Sequence, residues 1–331
     1  MTDAQASPAT RPARPAAIEE PRKVRVVDAE LAPPSANQGL MEVFRRRYLL
    51  RLLVRRELRG RYEGSFLGFM WSYINPLSQF FTYWFVMGRV LGLHDSVPNF
   101  AVHIFSAMIV AHFFTETWGS GTRSLVSNKS LLRKMAMPRE MFPVAAMLVS
   151  FFHVVPQVVI LLAACLLMGW TPSLLAVGAL ALALSLSMVF GTAMALLFST
   201  ANVFFRDFGS VVSILNHFLR FGIPMLYSYS YIANTLPSWA EELYLANPVT
   251  QAVLLMQKAF WLPTLSERDT WAKDPLTGHY LFDEQGHHVL TVIMPGHLFE
   301  RGLLVLLGSL LVLVFAQWVF AVTERKVPER L

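Results

Sequence analysis

The chain has 331 residues, of which 54% are hydrophobic and 15% are charged, and its formal net charge is +6. This composition excludes an ordinary soluble enzyme and is typical of a polytopic membrane protein. The single cysteine, Cys165, excludes an intrachain disulfide and a cysteine metal cluster. We predict an all-α polytopic membrane protein with six transmembrane helices, at about 66–88, 99–121, 141–168, 174–200, 208–232 and 302–323.

The N-terminal region has two parts of different composition. Residues 1–39 are rich in Pro and Ala and lack a periodic apolar face, so we expect a disordered cytoplasmic tail. Residues 40–62 interleave arginines with apolar side chains, which predicts an amphipathic interface helix on the inner leaflet. This helix is either a topology anchor or a platform whose arginines meet a phosphate-bearing lipid. The arginines assigned to such a lipid phosphate are Arg45, Arg46, Arg47, Arg51, Arg55 and Arg61.

The first two predicted spans each contain one unusual feature. Asn75-Pro76 lies near the centre of 66–88, where proline is expected to break or kink the helix. Glu116 lies inside 99–121, and an intramembrane acid usually faces a bundle interior or a water-filled path because lipid does not solvate it. We expect Glu116 either to pair with Arg220 or a hydroxyl, or to line a conduit.

The central stretch 141–205 contains no Asp, Glu, Lys or Arg. It is long enough for two spans, and the turn-forming residues at 169–173 divide it near the middle. Basic residues flank both ends, which places those ends on the cytoplasmic side. The stretch therefore predicts a membrane hairpin attached to cytoplasmic joints.

The fifth predicted span, 208–232, carries His217 and Arg220 within the membrane and Pro224 at an expected kink. Charged side chains at that depth indicate a face exposed to water or sugar. Tyr227 is assigned to that face, whereas Tyr229 and Tyr231 suit an interfacial aromatic belt. The segment 233–300 is expected outside the cytoplasm, with an apolar stretch at 248–262 that is too short to cross and predicts a re-entrant or surface-lying helix.

Several chemistries find no support in the sequence. Phosphate-cradling loops, nucleophile elbows and paired metal-binding histidines are missing, so we predict neither an enzyme nor a cofactor or metal site in this chain. Most Lys and Arg residues fall in the predicted cytoplasmic segments, so the basic charge reports topology rather than nucleic-acid binding. This distribution predicts that both termini are cytoplasmic.

Separated motifs in a particular order resemble one known family. They are 61–68 (RYEGSFLG) with Trp71 and 75–77, 127–134 (SNKSLLRK) with 137–140, 202–207 (NVFFRD), and 245–248 (LANP). These stretches resemble the membrane subunits of ABC-2 type polysaccharide exporters, which serve O-antigen, teichoic acid and galactan export. The resemblance covers roughly residues 40–262 and the last span.

The resemblance implies a homodimer in the bacterial inner membrane, paired with two copies of a separate ATPase subunit that carries the ATP and Mg. The exported cargo would be a polyprenyl-pyrophosphate-linked glycan. The resemblance assigns ATPase coupling to the two cytoplasmic joints, at Asn128, Lys129, Leu132, Arg133, Lys134, Met137, Pro138, Arg139, Glu140, Arg206 and Asp207. Flat rings stack on sugars, so the aromatic candidates for the glycan path are Trp71, Tyr73, Phe80, Tyr83, Phe114, Trp118 and Tyr227. The other candidates for this path are Glu116, His217 and Arg220.

Some features depart from the general family. His217 with Arg220, an apparent insertion at 263–297 and the Pro/Ala-rich tail resemble the mycobacterial-type exporter of lipid-linked cell-wall galactan. Two alternatives remain at this stage: a polyprenyl-phosphate-dependent membrane glycosyltransferase, and an ABC-2 permease for a drug or another small molecule.

Overall fold

The computed structural model describes residues 39–134, 137–271, 280–282 and 291–324. The predicted tail, except for Gly39, residues 272–279 and 283–290 of the predicted insertion at 263–297, and the residues after Glu324 lie outside this part of the chain. Within it the α-helices, in chain order α1 to α13, are Gly39–Arg45, Arg47–Tyr62, Trp71–Thr82, Leu93–Ser96, Phe100–Ser127, Lys129–Lys134, Met141–Leu167, Leu174–Phe204, Phe208–Gly222, Tyr229–Thr235, Ser238–Leu245, Pro248–Phe260 and Leu298–Glu324.

Four of these helices, α5, α7, α8 and α13, are long and apolar enough to cross a membrane. The turn expected at 169–173 lies between α7, which ends at Leu167, and α8, which begins at Leu174. Gly169 has a φ of +83°, a conformation that glycine adopts without a steric cost. The Ser173 hydroxyl accepts a hydrogen bond from the Ala176 amide at 3.1 Å and caps α8.

The first predicted span, 66–88, is not a uniform α-helix. A short 3₁₀ turn, Gly68–Met70, leads into α3, and π-helical turns follow from Tyr83 to Val90. Asn75-Pro76 does not break the helix, because α3 continues through Pro76. Proline removes one intrahelical hydrogen bond there, the one to the Ser72 carbonyl. The helix changes from α to π geometry at Tyr83, two turns after Pro76.

The fifth predicted span, 208–232, is interrupted rather than kinked. Helix α9 ends at Gly222, Ile223 is extended, and α10 begins only at Tyr229. Residues before proline avoid the α conformation, which explains why the helix stops just ahead of Pro224. The buried Gln257 side chain donates a 2.6 Å hydrogen bond to the Pro224 carbonyl. The break is therefore fixed by a contact from α12.

Helix α12 is a short helix enclosed by the bundle. It occupies most of the apolar stretch predicted at 248–262, and it packs against α5, α8 and α13. Asn247 caps it through the Val249 amide at 3.0 Å, with Pro248 in the first turn. Thirteen residues are too few to cross a bilayer.

The apolar face of α2 packs on protein. Leu50 and Leu53 are buried in a cluster that includes Met141, Phe142 and Phe320. The helix predicted at 40–62 is divided at Arg46, whose backbone is not helical. Because its apolar face is covered by α7 and its neighbours, α2 presents mainly its arginine face outward.

Close helix contacts fix the bundle around α5. A Cβ atom added at Gly121 would lie 2.8 Å from the Cβ of Ala195, so α5 and α8 approach as closely as glycine allows. Cys165 lies on α7 and is fully buried. The middle of the bundle is filled by large apolar side chains, including Ile104, Met108, Phe114, Leu186 and Leu254.

Candidate functional site

A polar cavity of about 740 Å³ lies among α2, α3, α5, α7 and α9. We call it the central cavity. Its wall includes Arg61, Tyr62, Trp71, Ser72, Asn75, Gln79, His112, Glu116, Arg123, His153, Gln157, Ser213, Asn216, His217 and Arg220. Such a concentration of polar groups between apolar helices indicates a water-filled site rather than packing.

Helical spacing explains how these side chains converge. Residues three or four apart share one face of a helix. On α5 this face carries His112 and Glu116, and on α7 it carries His153 and Gln157. On α9 it carries Ser213, Asn216, His217 and Arg220. The opposite face of α9 is apolar and exposed at Val211, Ile214 and Phe218.

Sequence reasoning found part of this wall. The sequence-predicted residues Arg61, Trp71, Glu116, His217 and Arg220 all line the central cavity. The analysis missed His112, Arg123, His153, Gln157 and Asn216. A search for polar residues recurring at helical spacing within apolar helices would have identified His153 with Gln157, and Asn216 with Arg220.

Five side chains join the end of α2 to the cavity wall, and we call them the Arg61 cluster. Arg61 Nη1 donates to Glu116 Oε1 in an ion pair. His153 Nδ1 lies 2.8 Å from the same carboxylate oxygen. The Tyr62 hydroxyl lies 2.7 Å from His153 Nε2 and also bonds to Ser72. The partner of Glu116 is thus Arg61 with His153, and not the Arg220 that the sequence suggested.

The direction of one hydrogen bond in the Arg61 cluster follows from its chemistry. A carboxylate only accepts, so His153 donates to Glu116 from Nδ1. The other ring nitrogen of His153 is hydrogen-bonded to the Tyr62 hydroxyl, which is hydrogen-bonded in turn to Ser72. The cluster is a continuous chain of hydrogen bonds that crosses four helices and ends at the Glu116 carboxylate.

A second hydrogen-bonded set lies beside it. His112 Nε2 is 2.6 Å from Gln79 Oε1, which joins α5 to α3. Gln157 approaches the other ring nitrogen of His112 at 3.4 Å and donates to the His153 carbonyl at 2.9 Å. Both polar sets are therefore linked through α7, and they hold α3 and α5 around the cavity.

An open groove of about 810 Å³ adjoins the central cavity. Its polar lining consists of four arginines of α2, two carboxylates and two polar residues at the end of α5, namely Arg55, Arg56, Arg59, Arg61, Glu57, Glu63, Ser127 and Asn128. We call it the arginine groove. Arg61 lines both spaces, so the groove and the cavity meet at this side chain. Guanidinium groups at this density favour phosphate.

The remaining arginines assigned to a lipid pyrophosphate lie on α1, on α2 and at Arg46 between them. Arg45, Arg47 and Arg51 are exposed, as is Arg55. Arg46 instead forms a 2.6 Å ion pair with Glu42.

Asn128 connects the arginine groove to the end of α5. Its Oδ1 accepts a 3.0 Å hydrogen bond from Arg56, and its Nδ2 donates at 3.2 Å to Glu57. Both ends of one buried amide are thereby used to hold α2. Because α6 begins at Lys129, Asn128 connects the start of α6 to α2.

The residues assigned to ATPase coupling fall into two groups. Lys129, Lys134, Arg206 and Asp207 are exposed, and Leu132 is half-buried. The side chain of Arg133 lies outside the described part of the chain.

The second group faces the protein interior. Met137 and Pro138 are buried, and so is Glu140, whose carboxylate accepts a 3.0 Å hydrogen bond from Gln317. Arg139 donates to the Glu324 carbonyl. This group connects the segment 137–140 to the C-terminal part of α13.

Most of the predicted aromatic path lies outside the cavity wall. Tyr73 packs edge-on against Phe69, and Phe80 against Phe105. Phe114, Trp118, Tyr83 and Tyr227 also lie outside the wall. Phe114 and Trp118 pack in the bundle core, Tyr83 packs against that core, and the Tyr227 hydroxyl donates to the Phe221 carbonyl at 3.1 Å. Tyr62 and Trp71 are the aromatic rings that line the described cavity.

Comparison with known proteins gives a consistent result. The sequence pattern of the family described as "ABC-2 type transporter" matches residues 48–261, which include the whole cavity wall. The O-antigen export system permease protein RfbA of Myxococcus xanthus is 28% identical over 221 residues, covering 66% of this chain and 83% of the relative. A protein of the same name from Klebsiella pneumoniae is 26% identical over 218 residues, with 66% and 82% covered.

Proposed function

Because this chain belongs to the ABC-2 type transporter family, we propose that it is the membrane-spanning permease of an ATP-driven polysaccharide exporter. The proposed cargo is a polyprenyl-pyrophosphate-linked glycan that moves from the cytoplasm across the inner membrane. The O-antigen permeases among its relatives favour this cargo over a small molecule and over a glycosyltransferase activity.

The observation that carries the proposal is the junction of the arginine groove with the central cavity at Arg61. A lipid-linked glycan has two chemically different parts. Its pyrophosphate suits the guanidinium groups of the groove, and its hydroxyl-rich sugars suit the polar wall of the cavity. Adjacent sites of these two kinds match such a molecule.

The proposed topology has six membrane segments with both termini in the cytoplasm. Helices α5, α7, α8 and α13 provide four of them. We assign the other two to α3 with its π-helical continuation, and to α9 with α10. Helix α12 is then re-entrant, since it is short and enclosed by spanning helices.

The proposed motor is a separate ATPase that binds ATP and Mg, with two copies serving a homodimer of this chain. The exposed basic residues Lys129, Lys134 and Arg206 form its docking surface. Movement of α6 on nucleotide binding would pull on Asn128 and so displace α2, which borders both the groove and the cavity. Cell-wall galactan is the proposed glycan, on the resemblance to mycobacterial-type exporters.

The proposal is tested in two steps. First, the tagged chain is purified from native membranes in mild detergent, and an ATP-binding subunit is expected with it at equal stoichiometry. Second, the chain is depleted, and a polyprenyl-pyrophosphate-linked glycan is expected to accumulate inside the cell. Purification without any ATP-binding subunit contradicts the motor, and depletion without such a lipid contradicts the cargo.

A further inference from the structure

We propose that Glu116 is a built-in competitor for the substrate pyrophosphate at Arg61. In the empty protein the Glu116 carboxylate occupies this arginine, and an incoming polyprenyl pyrophosphate displaces it and releases the end of α2. This inference rests on the proposed function, since it concerns how the same site responds to its cargo.

The two anions compete for the same donor. Carboxylates and phosphates both bind the planar guanidinium fork, and a pyrophosphate offers more charge and more acceptor oxygens than one carboxylate. In the described part of the chain, Arg61 contacts Glu116 through Nη1 alone. Its Nε and Nη2 make no hydrogen bond to a described residue, so they remain available to a second anion.

The ion pair is also accessible. The side chain of Arg61 is 38% exposed and that of Glu116 is 25% exposed, so an incoming anion can reach the pair. The described wall of the central cavity includes three arginines, Arg61, Arg123 and Arg220, but Glu116 is its one acidic residue. Arg123 and Arg220 have no ion pair with a described residue. The cavity therefore attracts anions, and Glu116 is the internal anion already present.

Breaking the ion pair between Arg61 and Glu116 frees the C-terminal end of α2. Arg61 and Tyr62 are the last two residues of this helix, and both belong to the Arg61 cluster. Gly64 and Gly68 follow with φ values of +75° and +50°, so the connection to α3 bends at two positions. Six residues before Tyr62, Arg56 is held by Asn128. Release of Arg61 therefore also changes the contact between Arg56 and Asn128, the residue just before α6.

The test is a double-mutant cycle on the complex of this chain with its ATPase in lipid nanodiscs, with farnesyl pyrophosphate as the probe. We expect Glu116→Gln to lower the Kd by about tenfold, since Arg61 no longer has an internal partner. Arg61→Gln should raise the Kd. The double variant should bind no more tightly than Arg61→Gln alone, because the gain requires Arg61.

Two controls define the effect. Glu242→Gln removes a different carboxylate that pairs with an arginine, Arg301, away from the cavity, and it should leave the Kd unchanged. Glu116→Asp keeps the charge and should not reproduce the gain. An unchanged or raised Kd for Glu116→Gln, or a tenfold gain that persists without Arg61, overturns the proposal.

A measurement on the wild-type chain covers the case in which Glu116→Gln does not fold. Hydrogen exchange of the peptide that spans 57–63 should increase when farnesyl pyrophosphate is added, because the end of α2 is released. Unchanged or slower exchange on binding overturns the proposal by itself.

Failure of this inference is distinguishable from failure of the proposed function. If the probe binds equally to wild type and Glu116→Gln while a lipid-linked glycan accumulates on depletion, the competition is wrong and the cargo assignment stands. If Glu116→Gln binds more tightly but no such lipid accumulates, the competition stands and the cargo assignment is wrong. If neither protein binds the probe, the competition is overturned.

Discussion

The Gln257 side chain donates a 2.6 Å hydrogen bond to the carbonyl oxygen of Pro224, and so α12 holds the break between α9 and α10. Gln257 is fully buried, and Pro224 is also buried. We expect Gln257→Leu to destabilise the protein by about 1–3 kcal/mol, because the carbonyl is left buried without a donor. Thermal unfolding in detergent measures this loss. Tyr231→Phe, on an exposed side chain, is the control and should leave the melting temperature unchanged.

Asn128 should transmit motion without being required for assembly. Asn128→Ala removes both hydrogen bonds to α2, while the exposed docking residues remain. We expect normal recovery of the complex with the ATPase but export reduced by about tenfold, as measured by complementation of a depleted strain. Val126→Ala, at a nearby exposed position that lines neither the groove nor the cavity, is the control. Loss of the complex in Asn128→Ala would assign this residue to assembly instead.

Charge reversal should prevent docking of the ATPase. We expect Lys134→Glu and Arg206→Glu to abolish copurification of the ATP-binding subunit while the chain still inserts in the membrane, since like charges then meet across the interface. Arg133→Glu is predicted to behave in the same way. Arg268→Glu changes an exposed arginine between α12 and α13 and serves as the control. Equal copurification in all variants would contradict the assignment of the joints.

Stability at acid pH should depend on Glu242. Two hydrogen bonds from Arg301, at 2.6 and 2.9 Å, lower the pKa of the Glu242 carboxyl below its ordinary value of 4.5. A lowered folded-state pKa gives a contribution that is complete above the ordinary value and is lost as pH falls through the lowered one.

The comparison of wild type with Glu242→Gln tests this dependence. We expect wild type to unfold at the higher temperature near neutral pH, and the difference to shrink as the pH falls below the ordinary pKa of 4.5. High salt should reduce the difference, because the pair is exposed. Glu267→Gln, on an exposed carboxylate, should show no such dependence. A gap that widens at acid pH would be incompatible with the lowered pKa.

The sequence predicted those parts of the fold that depend on composition. The charge-free stretch 141–205 and its turn at 169–173 have counterparts in α7, α8 and the turn between them, because an apolar run of that length has few alternatives. The extent of the interruption at 223–228 could not be predicted from the sequence, because the hydrogen bond that fixes it comes from Gln257 on a distant helix. The continuation of α3 through Pro76 likewise depends on its surroundings.

Sequence reasoning identified those candidate-site residues whose charge is unusual inside a membrane span. Glu116, His217 and Arg220 were identified because charged or titratable side chains are rare inside spans. The aromatic residues were harder to assign, since Phe114 and Trp118 suit a packed core as well as a sugar path. The partner of Glu116 could not be derived, because nothing in the sequence shows that the end of α2 lies against α5.

The burial of Cys165 makes site-directed labelling straightforward. It is the one thiol in the sequence, and none of its surface is accessible to solvent. Cysteines introduced at exposed positions such as Tyr48 and Phe66 would therefore react selectively with spin labels in the otherwise native chain. Distances between α2 and the loop after it can be recorded in this way while substrate is added.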